Sequence, residues 1–214
     1  MAADRPCFIG VAFLQGDPRV LWDQVVMRST WGRFVHTEIF LQNEHGARFY
    51  TACSPWNKGF IPSARVEGLV PATQMDRLAS RKEEIPGAQG RWELLTFPLS
   101  GQGGYEAAYT LILEILAMHL PYNSKDLWQC CLQVMLPFEC DLDCENLETW
   151  RASGVFCSQV CLLILRRLSR KGVLKLGMGD NSDSRLEFFN SRGCSPNELY
   201  GLLTRVSSHK KKSI

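Results

Sequence analysis

The first half of the chain consists of short apolar runs separated by polar or Gly/Pro-bearing breaks, a pattern typical of β-strands. Five runs rich in apolar, β-branched and aromatic residues predict strands, at residues 7–14, 34–41, 48–53, 60–66 and 92–99. The turn sequence QNEHG separates the second run from the third and predicts a hairpin. After the first run, Asp17 as a cap and Pro18 as a first helical residue predict a helix over residues 19–27.

The second half of the chain has apolar residues at helical spacing. This pattern predicts three helices, at residues 105–119, 124–135 and 156–168. Residues 80–90 read as a loop, 101–104 as a flexible turn and 137–153 as an irregular acidic stretch. The sequence Ser195-Pro196-Asn197-Glu198 is typical of a capping box and predicts a short helix ending near Leu203. Strands followed by helices favour an α+β fold, in which an antiparallel sheet packs against helices.

Composition narrows the class of protein. The chain has 214 residues, of which 45% are hydrophobic and 21% charged, so residues 1–205 suit a single domain, with 206–214 as a basic disordered tail. No apolar run approaches the ~18 residues of a membrane span, and the first residues do not resemble a signal peptide. Nine cysteines are then expected to be free thiols in a reducing compartment, which favours the cytoplasm. A net charge of +2 argues against a nucleic-acid partner.

Two residues stand out as candidates for nucleophilic chemistry. Cys157 begins an apolar helix, where the first-turn amides and the helix dipole favour a thiolate. His36 lies in the middle of a predicted strand, unlike His45 in a turn, His119 at a helix end and His209 in the tail. Each candidate also has a structural interpretation, since Cys157 could simply pack in the core and His36 could be a hydrogen-bonded core residue.

Cys157 and His36 are stronger candidates together than either is alone, because thiol catalysis requires both a cysteine and a base. If the helix packs across the sheet, Cys157 could meet His36, and a third polar group would orient the imidazole. Strand alternation places Glu38 on the same face as His36, and the next strand offers Thr51 roughly opposite. A metal site is a weaker interpretation, because the pair Cys140-x3-Cys144 has no second ligand pair in the sequence. No cofactor or metal is therefore expected.

Five segments in this order resemble the circularly permuted, NlpC-like branch of the papain-like thiol hydrolases, which is related to lecithin–retinol acyltransferase. The segments are CFIGVAFL, VHTEIFL with its return RFYTACS, PYN at 121–123, GVFCSQVCLLIL and CSPNELYGLL. The resemblance covers most of residues 7–203. It is nearest to the bacterial YiiX-like and large-DNA-virus members of the branch.

The resemblance implies a permuted papain-like fold and a thiol hydrolase of the peptidase or amidase type. Cys157 would be the nucleophile and His36 the general base. The family's third residue falls at Thr51, where related members often carry Glu or His. Either Thr51 or Glu38 would then be the orienter, or the pair would act as a dyad with a weakened third member. The substrate would be a peptide or another amide. A phospholipase or acyltransferase acting on a lipid ester, and an inactive interaction protein, are the alternatives.

Overall fold

The computed structural model describes residues 7–45, 48–53, 66–71, 92–118, 120–121, 123, 142–174, 186 and 190–208. Its five strands form one antiparallel sheet in the order β4-β3-β2-β1-β5. The strands are β1 (Phe8–Gln15), β2 (Phe34–Gln42), β3 (Arg48–Cys53), β4 (Val66–Pro71) and β5 (Trp92–Pro98). The predicted α+β class and the predicted hairpin of β2 with β3 are confirmed.

The described part of the chain contains five α-helices and one turn of 3₁₀-helix. The helices are α1 (Leu21–Ser29), α2 (Gly101–Ala117), α3 (Leu147–Ser153), α4 (Cys157–Arg170) and α5 (Pro196–Ser208), and the 3₁₀ turn is Ser191–Gly193. Of these, α4 follows the predicted range 156–168 most closely. The capping box of α5 is also confirmed, because Ser195 Oγ accepts a hydrogen bond from the Glu198 N–H at 3.3 Å while the Glu198 carboxylate accepts one from the Ser195 N–H at 2.8 Å.

One face of the sheet packs against the buried helix α4. Alternate residues of β1 and β2 point to this face, among them Ile9, Val11, Ile39 and Leu41, and they form one apolar core with the side chains of α4. The opposite face of the same strands carries His36, Glu38 and Phe40. Because α4 is buried over almost its whole length, its position relative to the sheet is tightly fixed.

An irregularity in β2 changes the alternation just before His36. Leu14 pairs with His36, but Gln15 pairs with Phe34, so Val35 is an extra residue on its strand. Phe34 is consequently in the helix-facing core, where its ring lies 5.2 Å from that of Phe13 and 4.6 Å from that of Tyr200. A regular strand would have put Phe34 on the same face as His36.

Several predicted boundaries were wrong for identifiable reasons. Helix α1 begins at Leu21 rather than Arg19, because the Asp17 carboxylate is bound by the Arg19 side chain and N–H and does not cap the helix. Residues 101–104 are the first turn of α2, since Ser100 is already fixed by its bond to the Val173 carbonyl. The fourth strand is Val66–Pro71, so only Val66 lies within the predicted range.

The acidic stretch and the tail also contain helix that was not expected. Residues Leu147–Ser153 form α3, capped by the Asn146 side chain and anchored by the fully buried Trp150. Helix α5 continues past Leu203 to Ser208, because Val206 keeps the apolar spacing and is fully buried. The predicted tail therefore starts too early at residue 206.

The predicted helix at 124–135 and the predicted loop at 80–90 lie outside the described residues. No helix in the described ranges is long and apolar enough to cross a membrane.

Two glycines in different elements give a test of the sheet geometry. A Cβ on Gly10, in the middle of β1, would lie 2.3 Å from the Leu95 carbonyl oxygen and 2.5 Å from the Phe40 ring. We expect Gly10→Ala to lower the free energy of unfolding by about 3 kcal/mol, since neither neighbour can move away. Urea denaturation monitored by circular dichroism measures this change.

Gly201→Ala in α5 is the matched control. A Cβ at this position meets no atom within 4 Å, so the helix-favouring alanine should raise the free energy of unfolding by about 0.5–1 kcal/mol. Equal effects of the two substitutions would contradict the packing described for β1.

Candidate active site

Cys157 is the first residue of α4, and the chain before it is shaped to place it there. Gly154 has a φ of 70°, and a Cβ on it would lie 2.8 Å from the Pro121 carbonyl oxygen, so this turn requires glycine. Phe156 is extended and fully buried, and its N–H donates to the Gln159 side-chain oxygen at 3.2 Å. Cys157 itself is only 3% exposed.

His36 and Glu38 lie two residues apart on the same face of β2. The His36 Nε2 atom is 2.6 Å from Glu38 Oε1, which confirms the predicted proximity of these side chains. Glu38 is buried, whereas 13% of the His36 side chain is exposed. Because Nε2 is engaged by the carboxylate, Nδ1 is the ring nitrogen left for a second partner.

Cys157 and His36 come together at the edge of β2. Strand β2 pairs with β3 over Phe40–Gln42. At Thr37, which lies outside this pairing, the main-chain N–H donates a hydrogen bond to the Cys157 sulfur. A sulfur at the strand edge can be reached from both faces of the sheet. The thiol therefore interacts with the imidazole of His36 from one face and with the Thr37 hydroxyl from the other.

Thr37 links Cys157 to a second buried thiol, that of Cys161. The Cys161 thiol donates to Thr37 Oγ1 at 3.6 Å, so the hydroxyl is free to turn its own hydrogen toward Cys157. The Thr37 N–H and O–H both lower the pKa of Cys157, as expected for donors that stabilise a thiolate. Burial raises the pKa of Cys161 well above its ordinary value, which keeps that thiol neutral.

The electrostatics of the pair favour a thiolate beside an imidazolium. Burial alone would lower the pKa of His36, but the negative charges and hydrogen bonds of Cys157 and Glu38 raise it from 6.5 to about 10. Burial alone would raise the pKa of Cys157, but the charge and hydrogen bond of His36 outweigh it and lower the pKa below 9.0. Between the two values the proton is on the ring and the sulfur is charged.

The indole of Trp92 lies beside this pair. Its ring centroid is 6.3 Å from that of His36, and the rings meet edge to face. Trp92 begins β5 and pairs with Leu14, which also pairs with His36 across β1. An aromatic ring here shields part of the imidazole from water, which strengthens the interaction of the imidazole with the carboxylate.

The remaining predicted site residues fall into two groups. For Thr51 the structure describes the backbone alone, in β3; the pairing of Tyr50 with Phe40 puts Thr51 nearest to Ile39 rather than to His36. Its orienting role stays a prediction. Of the suggested half metal site, Cys144 is buried at the start of the segment leading to α3, and Cys140 lies outside the described residues. Within the described ranges, no group of three or more His, Cys, Asp or Glu side chains is arranged so that it could hold a metal ion.

Sequence reasoning missed Thr37 and Trp92. Thr37 was overlooked because alternation assigns it to the face opposite His36, and a shared partner at the strand edge has no signature in the sequence. Trp92 is far from His36 along the chain, and only the pairing of both strands with β1 brings them together.

No protein-family model, curated protein or solved structure matches this chain to a significant degree. In the described structure, a thiol at a helix start, an imidazole and a carboxylate lie together in one buried array.

The pKa shifts predict how Cys157 reacts with iodoacetamide. In the wild-type protein its alkylation rate should rise with pH through a midpoint below 9.0, since the thiolate forms early. His36→Ala removes the positive charge and leaves burial to dominate, so the midpoint should move upward. At pH 7.5 the rate should fall by about tenfold or more, because each unit of pKa changes the thiolate fraction tenfold. Peptide mass spectrometry of the labelled protein measures the rate at Cys157.

Cys7 is the internal control for this experiment. It is half-buried, and burial followed by the charge of Glu44 raises its pKa. Its labelling should therefore be slow at pH 7.5 and the same in both proteins. Equal rates at Cys7 and Cys157 in the wild type would contradict the assigned ion pair.

A second prediction concerns the carboxylate. Glu38→Gln keeps a hydrogen-bonding group beside His36 but removes its charge, so the pKa of His36 should fall. An NMR titration of the His36 ring measures the change. Glu44→Gln, beside the exposed His45, is the matched control and should leave the His36 titration unaltered.

Proposed function

We propose that this protein is a cysteine-dependent hydrolase of the peptidase or amidase type, built on a permuted papain-like fold. The observation that carries the proposal is the meeting of Cys157 with His36, with their pKa values shifted in opposite directions. Cys157 acts as the nucleophile, His36 as the general base and acid, and Glu38 as the group that orients the imidazole.

A purely structural role accounts poorly for this arrangement. A charged carboxylate and imidazole below a sheet lose hydration, and apolar side chains of similar volume would stabilise the same position at least as well. Strongly shifted pKa values in such a cluster are typical of functional sites. The order of His36 and Cys157 along the chain also fits the permuted hydrolases that the sequence resembles.

The first half of the proposed reaction forms a thioester. The Cys157 thiolate attacks the carbonyl carbon of the substrate, and the carbonyl π electrons move to its oxygen. The N–H of Cys157, at the first position of α4, has no carbonyl one turn earlier to bind and can donate to this oxyanion. When the tetrahedral intermediate collapses, His36 gives its proton to the leaving amine, and the acyl group stays on the sulfur.

The second half releases the acyl group. The now neutral His36 takes a proton from water, and the resulting hydroxide attacks the thioester carbonyl. Collapse of this intermediate expels the Cys157 thiolate and yields a carboxylic acid. His36 retains the proton, so the resting ion pair is restored. Throughout both halves, Glu38 stabilises the protonated ring and keeps it turned toward the sulfur.

The exposure of the site residues indicates how the substrate approaches, and the state of the thiols indicates the compartment in which the protein works. Cys157 is almost fully covered, whereas His36 has some exposed surface, so the carbonyl would enter from the His36 side. The reaction requires an unoxidised thiol, and the five described cysteines are all free. We therefore infer a reducing compartment, such as the cytoplasm.

Trapping of the thioester tests the proposal. Incubation with an activated acyl ester such as a p-nitrophenyl acetate should add one acetyl group to Cys157, detected by mass spectrometry of the intact protein and its peptides. Cys157→Ala should abolish the adduct, and His36→Ala should lower its rate of formation by at least about 10²-fold, the usual range for loss of a general base.

Cys161→Ala is the matched control for the nucleophile. It removes a buried thiol one turn further along α4 and should leave acylation within a few-fold of the wild type. Acylation that survives Cys157→Ala, or equal acylation of several cysteines, would overturn the proposal. Comparison of amide with long-chain ester substrates then separates an amidase from a lipid-acting enzyme.

A further inference from the structure

A short segment in the last third of the chain touches both elements of the proposed active site. Cys194 and Ser195 lead into α5, and Asn197 is in its first turn. The carbonyl oxygen of Cys194 accepts a hydrogen bond from Ser158 Oγ at 2.6 Å. Ser158 is fully buried and directly follows Cys157, so this bond holds the start of α4.

At its other end, the same segment holds the start of β2. Asn197 Oδ1 accepts from the Phe34 N–H at 2.9 Å, while Asn197 Nδ2 donates to the Phe34 carbonyl at 2.9 Å. Nδ2 also donates to Thr30 Oγ1 at 2.7 Å. The side-chain amide thus binds both main-chain groups of Phe34, as a neighbouring strand would. Phe34 is separated from His36 only by the extra residue Val35.

The segment is rigid enough to transmit position between the two ends. The reciprocal Ser195–Glu198 bonds fix the first turn of α5, and Cys194 is fully buried. Tyr200, further along α5, packs against Phe34 with tilted rings and meets the Phe13 ring edge to face. The contacts that connect Ser158 with Phe34 therefore run through the buried Cys194, the capped first turn of α5 and the half-buried Asn197.

We propose that residues 194–197 form a clamp that sets the position of Cys157 relative to His36, and that Asn197 is a positioning residue for the pair. This inference rests on the proposed function and adds to it the element that aligns the site. Asn197 touches neither the thiol nor the imidazole; it acts through Phe34 and the bulged segment of β2 that follows.

Gly32 gives independent support for a close fit at Asn197. A Cβ on Gly32 would lie 2.1 Å from Asn197 Oδ1 and 2.2 Å from its Cγ. The turn after α1 thus leaves room for the Asn197 side chain only because residue 32 has none. A substitution at Gly32 displaces the amide from the other side, without altering Asn197 itself.

The test measures the pH dependence of Cys157 alkylation in the intact protein. Asn197→Ala should move the midpoint upward, in the same direction as His36→Ala, and lower the rate at pH 7.5 by about tenfold, equivalent to one unit in the pKa of the thiol. Val206→Ala is the matched control: it opens a cavity in the same helix, away from the clamp, and should lower stability without moving the midpoint.

A second pair of variants keeps the inference testable if Asn197→Ala does not fold. Gly32→Ala and Ser158→Ala disturb the two ends of the clamp separately, and each should move the midpoint upward. The double variant Gly32→Ala/Asn197→Ala should react no more slowly than Asn197→Ala alone, since both changes act on one contact.

The outcomes distinguish the two proposals. If His36→Ala changes the alkylation and the clamp variants behave like Val206→Ala, the positioning role is wrong and the proposed function stands. If His36→Ala itself has no effect on Cys157, the proposed function is wrong, and the clamp has no pair to position.

Discussion

The structure depends on keeping a charged thiol–imidazole–carboxylate array inside a mostly apolar protein. Desolvation opposes every charge in it, and only the mutual attraction of Cys157, His36 and Glu38, with donors from Thr37, offsets that cost. These interactions weaken steeply with distance, so the sheet and α4 must be held in a narrow range of positions. The largely buried helix α4, the glycine turn before it and the strand pairings of β1 supply that constraint.

The edge of β2 is the feature that lets these groups meet. Alternation sends His36 and Thr37 to opposite faces, and a helix packed on one face would ordinarily reach only one of them. With Cys157 at the strand edge, where β3 is paired only further along, both residues reach the same sulfur. The site thus brings together His36 and Glu38 on one face of the sheet and Cys157 from α4, which packs on the opposite face.

Many of the elements that carry the candidate site could be predicted from local sequence patterns. The apolar run of α4, the capping box at Ser195 and the shared face of His36 and Glu38 are all short-range properties, and the structure confirms them. The bulge at Val35 and the edge position of Cys157 arise from pairing between distant segments, which periodicity does not encode. The contacts of Asn197 with Phe34 are of this second kind, because a polar residue in a first helical turn ordinarily faces solvent.

The hydrogen bonds of residues 194–197 also bear on the order in which the protein matures during translation. His36 and Cys157 both precede, along the chain, the segment that ties their elements together. A nascent chain can therefore expose both reactive groups while they are still unaligned. If residues 194–197 set the alignment as we propose, Cys157 and His36 take up their paired positions only once α5 has docked.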